Sequence, residues 1–256
     1  MIHLSLIGIG TGDPEHLTLQ AIRALNRADL ILLPRKGPDK ADLADLRRMI
    51  CAAHVSDGVQ VVEFDLPQRV ASAASYLDSV HAWHDAVADS WAQTIAAHRP
   101  NGGRVALMVW GDPGLYDSSL RIAGRLRASG MELGTEVIPG LTSVQLLTAA
   151  HSIPLTTLAA PVMITTGRNL REMGWPAAAD TLVVMLDAEC SFDTVSPEHV
   201  TIYWAAYLGM PQQVLLAGPL ADTAARIRKA RTAARAEHGW IMDIYLLRRS
   251  SKCASA

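Results

Sequence analysis

The sequence has few cysteines, little net charge and no long uninterrupted hydrophobic run. Its three cysteines, Cys51, Cys190 and Cys253, are odd in number and far apart, which excludes a disulfide framework and a CxxC metal site. No apolar run approaches the roughly 18 residues that a membrane-spanning helix needs, and no basic segment precedes the first apolar run. These absences favour a soluble cytoplasmic protein without a membrane partner.

Charge of one sign does not dominate either. The 23 lysines and arginines nearly balance the 25 aspartates and glutamates, for a net charge of −2. A chain without a global positive field is not expected to bind nucleic acid. With 256 residues, half of them hydrophobic, the chain is long enough for one large domain or two modest ones.

Two common nucleotide-binding motifs are missing. No GxxxxGK[ST] phosphate loop occurs. The motif GIGTGDP follows a predicted first strand with Gly8 and Gly10, but the third glycine of a dinucleotide fingerprint would fall at Asp13. The second predicted strand ends in Pro34 and Arg35 rather than in an acid for a ribose hydroxyl. A nicotinamide site is therefore not expected.

The stretch RVALMVWGDPGLYDSS, residues 104–119, is the organising feature of the chain. Its apolar run at 105–110 predicts a buried strand, and Gly111 and the following proline start a turn into a helix. Because ligands collect at the carboxyl ends of strands in α/β sheets, we expect Gly111, Asp112 and Tyr116 beside a ligand. The alternative is a tight turn in which Asp112 only caps the loop.

Two more glycine turns follow predicted strands. GIGTGDP brings Asp13 to the same sheet edge as Asp112, and PGLTSVQ carries Thr142 and Ser143 at a helix start. These hydroxyls either cap the helix or face a ligand, and the sequence leaves both interpretations open.

The second half of the chain changes character and predicts a second domain. We expect an amino-terminal, mostly parallel α/β domain over 1–152, a linker over 153–160, and a carboxy-terminal mixed-sheet α/β domain over 161–256. The strands predicted in the second domain span residues 162–166, 181–186, 200–207, 213–217 and 240–247.

Two helices carry polar side chains that could suggest sites. The helix predicted over 75–98 places Trp83 and Trp91 on a core stripe, whereas His81, His84 and Asp85 have no further ligand nearby and indicate a solvated face. No metal site is expected. On the helix predicted over 221–238, spread basic residues likewise indicate a solvated face, with anion binding as the alternative. They are Arg226, Arg228, Lys229, Arg231 and Arg235.

Four motifs, GIGTGDPEHLT, GDPGLY, VIPGLTS and QQVLLAGPL, together resemble the tetrapyrrole methylase family. The resemblance runs from Leu4 to Leu247. It implies a two-domain fold that holds S-adenosyl-methionine in the cleft between the domains and transfers its methyl group. FDLPQR and GWIMDIYLLRR are similar to the branch that methylates carbon 1 of precorrin-5 and releases its acetyl group as acetate.

The resemblance also implies roles for individual residues. Removal of the acetyl group by water needs a base and a donor to the oxyanion, for which Asp13, Asp112 and Tyr116 are the candidates, each with a plain loop-capping alternative. A homodimer is implied as well. The implied cofactor contacts are Trp110, Gly111, Asp112, Leu115, Thr142, Ser143, Leu186, Ala205, Tyr207 and Leu208.

Other acceptors remain open within the same family. They are another precorrin, a modified histidine on a protein, or a ribose in RNA. Outside this class, the chain could be a corrinoid carrier without chemistry. Formation of S-adenosyl-homocysteine separates a methylase from a carrier.

Overall fold

The computed structural model describes residues 1–35, 41–67 and 76–249. Gln68 and Arg69, the end of the FDLPQR motif, lie outside these ranges. The chain divides into two compact units, Met1–Thr142 and Ser143–Ala256.

The first unit is built on a parallel sheet with the strand order β3-β2-β4-β1-β5. Every pairing in it is parallel, and Ile2 stands opposite both Gly103 and Leu133. All five strands therefore point their carboxyl ends at one edge of the sheet. The strands are β1 (Ile2–Gly8), β2 (Leu30–Arg35), β3 (Gln60–Asp65), β4 (Gly103–Val109) and β5 (Leu133–Ile138).

Helices cover both faces of this sheet, so alternate strand residues enter two separate cores. Leu4 and Leu6 lie in one core together with Trp91, while Ile7 lies in the other with Leu25. The expected core role of Trp91 is confirmed, since it is only 3% exposed. The helices of this unit are α1 (Leu19–Asn26), α2 (Ala41–His54), α3 (Tyr76–His98) and α4 (Ser119–Ala128).

The second unit is built on a mixed sheet with the order β6-β7-β10-β8-β9. Strand β6 pairs with β7 in parallel, and the other three pairings are antiparallel. The expected mixed sheet is thus confirmed. Its elements are α5 (Ser143–Ala150), β6 (Val162–Thr166), α6 (Gly167–Met173), β7 (Thr181–Met185), β8 (Val200–Ala206), β9 (Val214–Pro219), α7 (Leu220–His238) and β10 (Asp243–Arg249).

The division between the units differs from the expected linker at 153–160. Helix α5 contacts β8 and β10 and buries Val144 and Leu147, so it belongs to the second unit although we expected it in the first domain. The apolar face of a helix decides its domain by what it packs against, and a linker sought by composition does not reveal that partner. Within the described ranges, no helix combines the length and the apolar character needed to cross a bilayer.

Candidate active site

Three loops of the first unit touch each other through their glycine backbones. They follow β1, β4 and β5, which are neighbours in the parallel sheet. A Cβ atom added to Gly8 would lie 2.6 Å from the Gly140 nitrogen and 2.7 Å from the Gly111 carbonyl oxygen. A Cβ atom on Gly140 would overlap the same carbonyl of Gly111. Glycine is therefore required at 8 and 140 by backbone packing alone.

Gly111 differs from these two because a Cβ atom there would overlap no neighbouring atom. Its φ of +69° favours glycine, and its N–H donates to the Gly10 carbonyl at 2.8 Å. The nearest atom to a Cβ built at Gly111 is Thr11 Cγ2, at 3.9 Å. A methyl group at Gly111 would make only ordinary van der Waals contacts, so glycine is favoured there by its φ and not by backbone packing.

The two candidate acids of these loops make different contacts. Asp112 accepts hydrogen bonds at both carboxylate oxygens, from Gly114 N at 2.7 Å and from Gly140 N at 2.9 Å. It therefore ties the GDP loop to the PGLTS loop. Asp13 caps a short 3-10 turn through one oxygen, Oδ1, which accepts from Glu15 N at 2.9 Å. The capping alternative describes both contacts.

The remaining residues of the GDP loop offer an apolar wall and a hydroxyl. Trp110 is half-buried, and its Nε1 is buried without a hydrogen-bond partner among the described residues. Leu115 is half-buried, and its N–H donates to the Asp112 carbonyl at 3.3 Å. Tyr116 is 44% exposed, and burial of its phenol raises the pKa of that group. The Tyr116 hydroxyl is therefore protonated at neutral pH and able to donate.

Thr142 and Ser143 stand where the chain passes from the first unit to the second. Both are half-buried, and α5 begins at Ser143. Their hydroxyls lie at a helix start, as the sequence predicts, and this position suits either role expected of them.

The candidate residues of the second unit gather at one edge of its sheet. Leu186 follows β7 and Tyr207 follows β8, and both strands run antiparallel to β10. Both residues have positive φ, +53° and +52°, and Leu186 is 67% exposed. The side chains of Ala205, Tyr207 and Leu208 are buried. Backbone groups here are already bonded: Ala205 is paired with strands on both sides, and the Tyr207 N–H donates to the Met242 carbonyl at 3.0 Å.

Directly after Leu186, Asp187 forms a buried polar cluster that the sequence did not indicate. Its carboxylate accepts from Ser191 Oγ and Tyr245 Oη, both at 2.7 Å, and from Glu189 N at 3.1 Å. Burial alone would raise the pKa of Asp187, but these hydrogen bonds hold the pKa below its ordinary value. The cluster fixes the chain next to the exposed Leu186.

Arg47 of α2 is a second residue that the sequence did not indicate. Its side chain is buried, and Nε donates to the Met108 carbonyl, at the end of β4, at 3.2 Å. Burial lowers the pKa of Arg47 to about 10, although the Asp117 carboxylate acts in the opposite direction. The guanidinium remains charged at neutral pH behind the GDP loop.

The polar residues of α3 do not all lie on a solvated face. His81 and Asp85 are exposed, but His84 is 3% exposed and bonds to Ser118. The prediction for His84 is therefore wrong, because its partner lies 34 residues away on another element. Among the described residues, no three His, Cys, Asp or Glu side chains are close enough together to hold a metal ion.

Comparison with known proteins assigns this arrangement to a family. Residues 3–224 match the family model of Tetrapyrrole (Corrin/Porphyrin) Methylases. A Sinorhizobium sp protein named Precorrin-6A synthase [deacetylating] is 46% identical over 253 residues, which cover 98% of this chain and 97% of the relative.

Solved structures share this fold. A cobalamin synthesis related protein (CobF) from Corynebacterium diphtheriae aligns with a TM-score of 0.83 and 40% identity, covering 97% of this chain and 99% of that one. Uroporphyrin-III C-methyl transferase from Thermus thermophilus, complexed with S-adenosyl homocysteine, shares the fold at a TM-score of 0.58 and 20% identity, over 96% and 91% of the two chains. The chain belongs to the tetrapyrrole methylase family.

Proposed function

We propose that the protein is an S-adenosyl-methionine-dependent methyltransferase of cobalamin biosynthesis. It methylates carbon 1 of precorrin-5 and releases the acetyl group of that carbon as acetate, giving precorrin-6A. The observation that carries this proposal is the 46% identity to a deacetylating precorrin-6A synthase over nearly the full length of both chains.

The residues of the GDP loop fit the cofactor. Gly111 has no side chain to shield its backbone, and Trp110 has an apolar ring and a buried N–H without a partner among the described residues. S-adenosyl-methionine, when bound, supplies an electrophilic methyl group for carbon 1. The residues that would hold it are Trp110, Gly111, Asp112, Leu115, Thr142 and Ser143 of the GDP and PGLTS loops, with Leu186, Ala205, Tyr207 and Leu208 from the second unit.

Removal of the acetyl group requires acid–base chemistry from this chain. Tyr116 is the proposed donor to the oxyanion, because its phenol stays protonated. Asp13 is the proposed base for water, since its Oδ2 accepts no hydrogen bond from the described residues. Asp112 is proposed to hold the two loops in register, because backbone N–H groups occupy both of its oxygens.

The test is a single-turnover reaction with precorrin-5 and S-adenosyl-methionine. We expect acetate and S-adenosyl-homocysteine in equal amounts. S-adenosyl-homocysteine without acetate would assign another tetrapyrrole as the acceptor. Binding of the tetrapyrrole without either product would make the protein a carrier.

A homodimer in the cytoplasm is the proposed setting of this activity. The edge strand β6 exposes Met163 and Ile164 at 39% and 37%, and Met173 of the next helix is 72% exposed. Apolar side chains on a sheet edge support contact with a second copy. Light scattering at micromolar concentration should give twice the chain mass, and a monomer would contradict the proposed dimer.

The scattered free cysteines suit a reducing compartment, and cell fractionation tests whether the protein is in the cytoplasm.

A further inference from the structure

Ser118 and His84 form a hydrogen-bonded pair next to the GDP loop. Ser118 Oγ lies 2.8 Å from His84 Nε2. Ser118 occupies the N-cap position of α4, yet its hydroxyl makes no capping bond. The neighbouring Asp117 accepts from Ser119 N at 2.6 Å instead. The serine hydroxyl is thus left to the histidine.

The pair lies at the catalytic edge of the first sheet. Ser118 follows Tyr116 by two residues, in the loop that joins the carboxyl end of β4 to α4. In α/β folds such loops carry ligand-binding and catalytic residues. The Ser118 side chain is half-buried, whereas His84 lies beneath it at 3% exposure.

His84 is suited to accept a proton from this hydroxyl. Burial lowers the pKa of His84, and the nearby Arg125, Arg121 and His81 lower it further, while Asp85 raises it. The imidazole is therefore neutral at neutral pH. Its Nδ1 is buried without a partner among the described residues, so the pair is a dyad without a third group.

We propose that Ser118 is the nucleophile that removes the acetyl group of precorrin-5, with His84 as its base. The proposal rests on the proposed function and deepens it. Detachment of an acetyl group is an acyl transfer, and a serine activated by a neighbouring histidine is a recurring solution to that chemistry.

The steps balance as follows. His84 Nε2 takes the hydroxyl proton as Ser118 Oγ bonds to the acetyl carbonyl carbon, and Tyr116 donates to the resulting oxyanion. The bond between the acetyl carbon and ring carbon 1 breaks, its electron pair passes to carbon 1, which is methylated, and Ser118 carries an acetyl ester.

Water then releases the acetyl group. Asp13 takes a proton from the water that attacks the ester carbonyl, and protonated His84 returns its proton to Ser118 Oγ. Acetic acid leaves and loses its proton to solvent to become acetate, Asp13 also gives its proton to solvent, and Ser118 and His84 are restored. The sum consumes one water and requires no oxidant or reductant.

The experiment compares two variants with two matched controls. Ser118→Ala and His84→Gln are expected to lower acetate release from precorrin-5 at least about 100-fold, with unchanged affinity for S-adenosyl-methionine by calorimetry. Ser119→Ala, on the next residue, and His81→Gln, exposed on the same helix, should keep the parent rate. Circular dichroism checks that each variant is folded.

A second readout detects the covalent step. Rapid quenching and mass spectrometry should find an acetyl group on the peptide that contains Ser118, and Asp13→Asn should increase its amount. A fluorophosphonate, which reacts with activated serines, should label Ser118 in the parent and not in His84→Gln.

The outcomes separate this proposal from the proposed function. If the parent releases acetate and Ser118→Ala releases it within threefold of the parent rate, the dyad is overturned and the function stands. A slow Ser118→Ala without an acetyl adduct in the parent or in Asp13→Asn also overturns the covalent step. A parent that releases no acetate contradicts the proposed function itself.

Discussion

The two units hold their candidate ligand edges by different physical means. In the first unit, the backbones of Gly8, Gly111 and Gly140 are in contact. The Gly111 N–H also donates a hydrogen bond of 2.8 Å to the Gly10 carbonyl. In the second unit, a buried carboxylate, Asp187, holds the chain beside the exposed Leu186. The first edge is thus held by close contacts between backbones, whereas the second depends on a buried carboxylate whose charge is compensated by hydrogen bonds.

Arg231 is a second buried charge in this part of the unit, and it pairs with Asp243. Its Nη2 donates to the Asp187 carbonyl at 2.6 Å, and its Nε lies 2.8 Å from Asp243 Oδ2. Asp243 also accepts from Trp204 Nε1 at 2.8 Å. Burial alone would lower the pKa of Arg231, but Asp243 raises it overall. The expectation of a solvated face is thus wrong for Arg231, which is 8% exposed.

Removal of the Asp187 carboxylate should have the largest effect on stability. Asp187→Ala leaves Arg171, Ser191 and Tyr245 without their buried acceptor. We expect a loss of about 3 to 5 kcal/mol in the free energy of unfolding, measured by urea titration. Asp193→Ala, which breaks an exposed pair with Arg228, is the control and should cost under about 1 kcal/mol. If Asp187→Ala and Asp193→Ala lost the same free energy of unfolding, the Asp187 cluster would not be what stabilises this edge.

Acid should weaken the same cluster. Because its folded-state pKa is depressed, Asp187 stabilises the protein above the ordinary carboxyl pKa, and this contribution is lost as the pH falls through the lower, folded-state value. As the pH falls below about 4, the free energy of unfolding should therefore decrease less in Asp187→Asn than in the parent. The same acid dependence in both proteins would contradict this assignment.

A side chain at Gly140 should have the next largest effect. In Gly140→Ala the new methyl group meets the Gly111 carbonyl and Gly8 Cα, which are backbone atoms of neighbouring strand ends. We expect a loss of about 3 kcal/mol, because neither backbone can yield without separating the loops. Gly124→Ala, in α4 with nothing within 4 Å of its added Cβ, should instead be neutral or slightly stabilising. Thermal unfolding of both variants makes the comparison.

Gly111→Ala should change binding more than folding. Its positive φ costs about 1 to 2 kcal/mol with a side chain, but no atom crowds the new methyl group. We expect calorimetry to give at least a tenfold weaker affinity for S-adenosyl-methionine. Gly130→Ala carries similar strain, at φ +94° with open space and outside the site, and should bind as the parent does. Equal binding by the two variants would take Gly111 out of the cofactor site.

Local patterns predict the strands and turns well because their causes are local. The apolar run before Gly111 forms β4, which ends at Val109. The strand predicted over 181–186 ends one residue earlier, at Met185, because Leu186 adopts a positive φ. Hydrophobic periodicity indicates which residues of an element are buried, and a glycine indicates the turn that ends the element.

The side chains whose burial was not predicted have partners that are distant in the sequence. His84 is buried, and its hydrogen-bond partner Ser118 lies 34 residues away in the sequence. Asp187 is held by Tyr245 across 58 residues. A histidine or arginine on a helix is normally solvated, so only the partner reveals the exception. For the same reason, the loop positions of Asp13 and Asp112 were predictable from the glycine motifs, while the hydrogen bond between Ser118 and His84 was not.

Asp13→Asn should have the smallest effect on stability and the clearest effect on one chemical step. Asparagine still accepts the capping bond that Asp13 Oδ1 takes from Glu15 N, so unfolding should change by only a few tenths of a kcal/mol. As the proposed base for water, Asp13 is needed after the acetyl group has left carbon 1. Acetate release should therefore slow about 100-fold, while a single turnover still forms S-adenosyl-homocysteine at the parent rate. If both products slow together, Asp13 acts before methylation, and the base role belongs to the attack on the acetyl group. If neither slows, the water is activated elsewhere, and the backbone-built edge contributes shape and hydrogen bonds but no proton acceptor at Asp13.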